Sequence, residues 1–292
     1  MPNQSTNLIK TFLTDLENQG KNNLTIKNYQ LYLKKFALWL KTKNLSLPQV
    51  DSLVIKNFAQ SLANQQPTLK NNTINYHLTA LRSFNRFLKN KNLSNLKTND
   101  IKLNPLKRKT VTKEIDPTDK LHQAIQSTLA SQVINLRDST IIELLLTNGL
   151  KVSEVSNLTK ADVDFEKKEL TVKKSKHTRK LILTAESQQL LINYLKERHD
   201  TDPALFINHD RAAKSAKRTQ KINHNLSSRS IQRLIAYYGR LAGLEKPLTP
   251  SHLRKIYSQK LIQNKIPTIQ IKSLLGYKHT SSINWYKPSQ VD

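Results

Sequence analysis

Apolar residues in the first ninety positions recur every three or four residues, the spacing of helices that bury one face. The spacing predicts helices over residues 7–41, with a break at Gly20, and over 50–90, which divides into two further helices. Lys and Arg occupy many of the outward positions. We therefore expect a small four-helix unit, residues 1–99, whose apolar faces pack together.

The helical spacing stops over residues 100–114, where KLNPLKRKTVTKE is typical of an extended basic linker. It resumes in a second domain, residues 115–292. There the sequence predicts helices at 118–130, 135–147, 151–157, 185–198, 228–242, 250–264 and 267–275.

Between Val163 and Leu183, apolar and polar residues instead alternate in three short segments separated by charged turns. Alternation with a period of two is typical of a half-buried antiparallel sheet. The expected fold is therefore mainly α with a small antiparallel β-sheet in the second domain.

The net charge narrows the choice of partner. Among 292 residues, 48 are Lys or Arg and 21 are Asp or Glu, which gives a formal net charge of +27. Residues 1–99 alone hold 14 basic and 3 acidic side chains. Positive charges in such excess repel one another, which favours a polyanionic partner. Nucleic acid is the first candidate, ahead of an anionic membrane face or an acidic protein.

Several classes of protein are excluded by what the sequence lacks. There is no Cys, which excludes a disulfide scaffold, a Cys-ligated zinc finger and thiol catalysis. We find no secretion signal and no run of about 18 apolar residues, so we expect a cytoplasmic protein that does not enter a membrane. P-loop and H-E-x-x-H patterns are also missing, and the acidic residues do not gather into a metal site, so we expect neither a cofactor nor a metal. Chemistry on a phosphodiester would then depend on cationic side chains and a protein nucleophile.

Four short segments stand out in the second domain. They are NGLKVSE at 148–154, KKSKHTR at 173–179, TPSHLRK at 249–255, and LLGY at 274–277 followed by Tyr286. In this order and spacing the chain resembles the tyrosine recombinase (phage integrase) family, especially its short Xer-like members. The segments LTIKNYQLYLKKFALWL and TINYHLTALRSFNRFL are similar to the family's helical core-binding domain.

The resemblance implies a two-domain clamp around duplex DNA and a reaction without cofactor. In this family a tyrosine attacks a DNA phosphate, which leaves a 3′-phosphotyrosyl link and a free 5′-hydroxyl. Carried over by position, Tyr286 is the nucleophile and Arg254 clamps the phosphate oxygens. Lys174, in the sheet turn, gives a proton to the departing 5′-oxygen.

Three positions depart from the family pattern. Lys151 stands where the family has its first arginine, Ser251 where it has a histidine, and Tyr277 where it has His or Trp. A lysine keeps the charge without the bidentate fork, and a serine lacks the acid–base chemistry of imidazole. His252 is one residue further along, a rotation of roughly 100° on a helix, so we expect it to face elsewhere.

The predicted function is a site-specific DNA recombinase or integrase that acts on double-stranded DNA as a homo-oligomer, a tetramer in synapsis, associated with the nucleoid. The alternatives are a non-catalytic DNA-binding protein of the same fold, a type IB topoisomerase-like enzyme, and a nucleoid or RNA-packaging protein. The basic residues expected to contact DNA are Lys107, Arg108, Lys109, Lys173, Lys176, Arg179 and Arg229. For the linker cations among them, a solvated charge run is the competing interpretation.

Overall fold

The computed structural model describes residues 2–106, 117–128, 131–174, 177–209, 225–284 and 286, with the backbone alone at 2–4, 174 and 177. The chain divides into two units, Met1–Lys109 and Thr110–Asp292. Each unit has its own hydrophobic core.

The first unit is built from four helices: α1 (Pro2–Asn18), α2 (Asn23–Thr42), α3 (Ser52–Ala63) and α4 (Asn71–Asn90). Side chains cap two of them, since Asn22 accepts a bond from the Leu24 amide and Asp51 from the Val54 amide, both at 2.8 Å. The apolar faces meet in a core that includes Phe12, Leu33, Phe36, Phe58, Leu62, Ile74, Leu78 and Phe84. The four predicted helices are therefore present, although α1 begins five residues earlier than predicted.

The segment that follows α4 is attached to the first unit. Ile101 is fully buried, and Arg82 Nε donates to its carbonyl at 2.7 Å. Asn75 donates to the Asn104 carbonyl and accepts from its amide, at 2.9 and 2.7 Å. The predicted linker thus begins with residues that the four-helix unit binds. Its cations Lys107, Arg108 and Lys109 lie outside the described residues.

The second unit contains α5 (Thr118–Gln126), α6 (Gln132–Asn148), α7 (Val152–Ser156), α8 (Ala185–Lys196), α9 (Ser228–Leu241), α10 (Pro250–Gln263) and α11 (Thr268–Leu275). Most ends lie within two residues of the prediction. The exceptions are α5, which ends four residues earlier than predicted, and α6, which begins three residues earlier.

The sheet consists of β1 (Val163–Asp164), β2 (Glu169–Lys174) and β3 (His177–Ile182), paired antiparallel in that order. Leu170 faces Leu181 across the β2–β3 ladder, and both are buried, while Ile182 is 78% exposed. The alternation therefore marks one buried face. The prediction of a mainly helical fold with a small antiparallel sheet is confirmed.

Helix α6 forms the centre of the second unit, because it packs against α5, α8 and α10. Its carboxyl end is the local feature that builds the site described below. Gly149 closes the helix with a φ of +56°, and a Cβ there would lie 2.3 Å from Tyr257 Cδ1. Only glycine combines this left-handed turn with so close an approach to α10.

Within the described part of the chain, no helix is both long enough and apolar enough to cross a bilayer.

Candidate active site

Arg254 is buried in the first turns of α10, and two helix ends surround its guanidinium. Pro250 occupies the first helical turn, and the Thr249 side chain caps it by accepting from the His252 amide. One terminal nitrogen of Arg254 donates to the Gly149 carbonyl at the end of α6. The other donates to the Leu275 carbonyl at the end of α11, at 2.5 Å. Helix carboxyl ends carry partial negative charge, so both stabilise the buried cation.

Tyr277 follows directly on the glycine that caps α11, and its ring lies against two cations. The Arg254 guanidinium carbon is 4.9 Å from the ring centroid, and Lys151 Nζ is 5.8 Å from it. Arg254 Nε also donates to the Tyr277 hydroxyl, at 3.4 Å. Cations over an aromatic face attract its negative quadrupole, so Tyr277 keeps both positive charges close together.

Tyr286 meets this group through its hydroxyl, which is 2.5 Å from the hydroxyl of Tyr277. The side chain is partly buried, and its amide donates to the Ile283 carbonyl at the end of the short Thr280–Ile283 turn. Burial, and then the hydrogen bond with Tyr277, raise the pKa of Tyr286 to about 12, against the opposing charge of Arg254. The phenol is therefore neutral near pH 7.

A buried ion pair between Arg179 and Glu154 lies next to these residues and holds Lys151 in place. Arg179 donates two bonds to the Glu154 carboxylate, at 2.9 and 2.8 Å, and a third from Nε to the Leu274 carbonyl at 2.9 Å. Glu154 in turn accepts the Lys151 amide at 2.8 Å, which fixes the start of α7. Burial raises the pKa of Glu154, but the bonds from Arg179 and Lys151 outweigh it and hold this pKa below its ordinary value.

These contacts bear on the expectation that Arg179 binds DNA, which stays a prediction. The side chain is 11% exposed, and all three guanidinium nitrogens donate to protein acceptors, as those of Arg254 do. In this arrangement Arg179 ties β3 to α7 and to the end of α11. Charge counting missed this because the partner, Glu154, lies 25 residues earlier in the chain. The spacing of Lys151 and Glu154 is that of a capping box, which indicates the bond from Glu154 to the start of α7 but not the pairing with Arg179.

The other predicted residues are distributed as follows. Lys174 ends β2, opposite His177 in the ladder, and Lys176 lies outside the described residues. Lys173 is exposed, with its ammonium 2.6 Å from Asp162. Ser251 and Arg229 are exposed in the first turns of α10 and α9, and His252 is partly buried. The structure thus brings together Lys151, Arg254, Tyr277 and Tyr286.

Among the described residues, a group of different chemistry brings together His122, Glu143 and Glu186, whose donor atoms lie within 4.8 Å of one another. Burial and the charge of Glu186 raise the pKa of Glu143, against the opposing charges of His122 and Lys260. Its members lie on α5, α6 and α8, and none of them belongs to the group around Arg254. Acidic groups often lie close together without an ion, so this grouping alone does not assign a metal here.

Each of the two units matches a family model of its own. Residues 113–291 match the model of the phage integrase family, and residues 9–92 match that of the phage integrase N-terminal SAM-like domain. The tyrosine recombinase XerA of Pyrococcus horikoshii is 28% identical over 97% of this chain and 89% of its own length. The tyrosine recombinase XerC of Vibrio cholerae is 24% identical over 92% and 83%.

Solved structures share the fold at lower identity. The post-cleavage complex of the XerH site-specific recombinase with palindromic difH substrate superposes with a TM-score of 0.73. It is 20% identical and covers 97% of this chain and 80% of that one. A dimer of lambda integrase residues 75–356 bound to a COC′ core site gives 0.69 at 18% identity, over 98% and 96%. With the family match spanning more than half of its length, the chain belongs to the phage integrase family.

Proposed function

We propose that this protein is a site-specific DNA recombinase that cleaves and rejoins DNA through Tyr286. The observation that carries the proposal is the contact of three groups, in which the Tyr286 hydroxyl bonds to Tyr277 and Tyr277 to the buried Arg254 guanidinium. A phenolic nucleophile beside a fixed cation is the pair that attack on a phosphodiester requires. The relatives named as tyrosine recombinases support the same reading.

The reaction follows from what each group can do. The Tyr286 oxygen bonds to phosphorus while the bond between phosphorus and the 5′-oxygen breaks, so a 3′-phosphotyrosine and a 5′-hydroxyl result. The Tyr286 proton passes to solvent, and the charge of Arg254 favours its loss because it lowers the pKa of Tyr286 against the effect of burial. In our assignment, Lys174 protonates the departing oxygen. Since the phosphoester bond is retained on the protein, the reverse attack reseals DNA without an energy source.

Lys151 and Arg254 supply the positive charge that the five-coordinate phosphate needs. Arg254 is held by the carbonyls of Gly149 and Leu275, so its position is fixed before DNA arrives. Preorganisation of this kind avoids reorganisation in the transition state. Lys151 neutralises charge as a point cation, and Ser251 offers a hydroxyl where the family has imidazole. We expect slower cleavage than with the complete family set.

We assign DNA binding to both units. The core-binding unit spans residues 1–99 and the catalytic unit 115–292, joined by residues 100–114. This division is supported by the units Met1–Lys109 and Thr110–Asp292 and by the two family matches. The high net charge supplies affinity through release of counterions condensed on DNA. Exchange between two duplexes needs several active copies, so the working form is a homo-oligomer, a tetramer in synapsis, located with the nucleoid.

The test is a covalent trap. The protein is incubated with a library of randomised duplexes that carry a nick, so that the cleaved fragment diffuses away, and adducts resistant to SDS are counted. We expect adducts that disappear in Tyr286→Phe. The matched control is Tyr237→Phe, which alters a tyrosine 44% exposed on α9 and should leave the yield unchanged.

DNA affinity is measured on the same samples. Binding without any adduct would favour the non-catalytic relative of the same fold. An adduct that persists in Tyr286→Phe would remove the proposed nucleophile.

A further inference from the structure

Glu143 differs from the other buried acids in the part of the chain that the structure describes. Each of the others accepts a bond from an Arg or Lys side chain at 2.6–2.9 Å; they are Asp138, Glu154 and Asp162. Glu143 lies on α6 and is 3% exposed, and its carboxylate has the Ser187 hydroxyl at 3.5 Å and His122 Nε2 at 3.7 Å. Buried carboxylates are paired or coordinate a metal, and both contacts are longer than a normal hydrogen bond.

His122, on α5, supplies a second group without a hydrogen bond. Its Nε2 is inaccessible to solvent and has no hydrogen-bond partner among the described residues. The side chain as a whole is 28% exposed, so this nitrogen is turned inward while another part of the ring reaches the surface. The inward nitrogen is the one that faces Glu143 Oε2. Imidazole nitrogens are the commonest metal ligands in proteins.

Glu186, in the first turn of α8, completes the group, because one donor atom of each residue lies within 4.8 Å of the others. Its side chain is exposed, so an ion can enter from this side and the carboxylate can move towards it. The charge of Glu186 adds to burial in raising the pKa of Glu143, against the charges of His122 and Lys260. A cation between the two carboxylates would remove their repulsion.

A layer of hydroxyl groups orients the buried carboxylate. The Ser187 hydroxyl faces Glu143 Oε1 and accepts a bond at 2.8 Å from Thr184, which caps α8. The other oxygen, Oε2, is thereby directed towards His122. Outer contacts of this kind hold the ligands of metal sites in place.

The donor set selects the class of ion. One imidazole nitrogen and two carboxylate oxygens suit Zn²⁺, whereas Mg²⁺ and Ca²⁺ take oxygen donors and soft ions take sulfur. Donors about 2.0–2.2 Å from a tetrahedral ion lie about 3.3–3.6 Å from one another. The 3.7 Å between His122 Nε2 and Glu143 Oε2 is close to this separation. Three protein ligands leave the fourth position to water.

We propose that His122, Glu143 and Glu186 bind Zn²⁺, and that the ion links α5, α6 and α8. The three ligands come from three helices, so no short sequence motif marks the site. The site takes no part in the reaction proposed for Tyr286, so a failure of the cleavage would leave it in place.

The first test measures Zn²⁺ affinity. The full-length protein is freed of metal with a chelator and titrated with Zn²⁺ in competition with a chromophoric chelator. We expect saturable binding that Glu186→Gln weakens at least about tenfold, since even changes outside the ligands cost about 10–100-fold. Glu186 is exposed, so this variant should fold. The matched control is Glu166→Gln, which alters an exposed acid in the turn between β1 and β2 and should leave binding unchanged.

The second test removes the nitrogen donor. His122→Ala should also weaken Zn²⁺ binding at least about tenfold, whereas His199→Ala, at an exposed histidine after α8, should not. Zn²⁺ should raise the unfolding temperature of the wild type and leave that of His122→Ala unchanged, because an ion that binds the folded state stabilises it.

Equal weakening by His122→Ala and His199→Ala would mean that surface histidines bind the ion, which would overturn the proposal. So would the same affinity in Glu186→Gln as in the wild type. A lack of Zn²⁺ binding would overturn it as well, and would mean that a proton neutralises Glu143 instead.

Discussion

The hydroxyls of Tyr277 and Tyr286 lie 2.5 Å apart, although the two tyrosines are nine positions apart in the chain, with a turn between them. The ring of Tyr277 also lies 4.9 Å from the Arg254 guanidinium carbon. Tyr277 thus contacts both the proposed nucleophile and the proposed phosphate clamp. A side chain in this place determines how readily Tyr286 gives up its proton.

The variant Tyr277→Phe tests that relationship. Besides burial, the hydrogen bond with Tyr277 raises the pKa of Tyr286 to about 12, because it stabilises the neutral phenol. Removing the Tyr277 hydroxyl should therefore lower this pKa, and Tyr286 should begin to ionise at a lower pH. NMR of protein with ¹³C-labelled tyrosine rings checks this between about pH 9 and pH 11. There the Tyr286 signal of the wild type should stay neutral, whereas that of the variant should shift.

The control for this titration is Tyr237→Phe, on the exposed side of α9. It should leave the Tyr286 signal as in the wild type. If Tyr277→Phe also leaves the signal unchanged, the two hydroxyls are not bonded in solution.

The ion pair of Glu154 and Arg179 should contribute strongly to stability. Glu154→Ala leaves a buried guanidinium without its carboxylate, so we expect the free energy of unfolding to fall by about 3–5 kcal/mol. Urea denaturation at pH 7 measures the loss. Glu169→Ala instead removes the partly buried partner of the exposed Lys180 and should cost far less. Equal losses in the two variants would show that the buried pair contributes no more to stability than the exposed one.

The same pair predicts a dependence on pH. The pKa of Glu154 is lower in the folded protein than its ordinary value of 4.5, so the folded state favours the ionised form. Its stabilisation is complete above that ordinary value and is lost as the pH falls through the lowered pKa. The gap in stability between wild type and Glu154→Ala should therefore narrow on acidification. A gap that stays constant to low pH would contradict the assigned ionisation.

The sequence predicted the elements well because periodicity reports which face of a helix or strand is buried. It predicted contacts less well. Arg179 was counted as a surface cation, since nothing in its own segment shows that β3 folds against Glu154. Likewise Ile101, at the start of the basic stretch, belongs to no helical or strand periodicity, although the first core buries it completely.

The candidate site shows the same limit. The family resemblance selected Tyr286, Arg254 and Tyr277 one by one, from the order of short motifs. Their arrangement depends on where α6 and α11 end, because the carbonyls of Gly149 and Leu275 hold Arg254. The sequence predicted where both helices end, but only tertiary packing brings the two ends together around Arg254.

Gly149 gives a fourth prediction. An alanine there must adopt a φ of +56°, which costs about 1–2 kcal/mol, and its Cβ would lie 2.3 Å from Tyr257 Cδ1. The overlap should add about 1–3 kcal/mol. Gly243→Ala is the matched control, because its φ is +67° and nothing lies within 4 Å of the new Cβ. Thermal and urea unfolding should show the larger loss in Gly149→Ala; losses of equal size would mean that Tyr257 moves aside freely.

The last prediction concerns Lys151, whose ammonium lies 5.8 Å from the Tyr277 ring. A guanidinium at this position adds a planar fork that can hold two phosphate oxygens, whereas an ammonium acts as a point charge. Lys151→Arg should therefore raise the rate of adduct formation on nicked duplexes about tenfold or more, since one preorganised donor is worth about 10²–10³ in rate. Lys173→Arg, at a lysine paired with Asp162, should leave the rate as it is. A fall or no change in Lys151→Arg, with DNA binding intact, would place the first phosphate clamp at another residue.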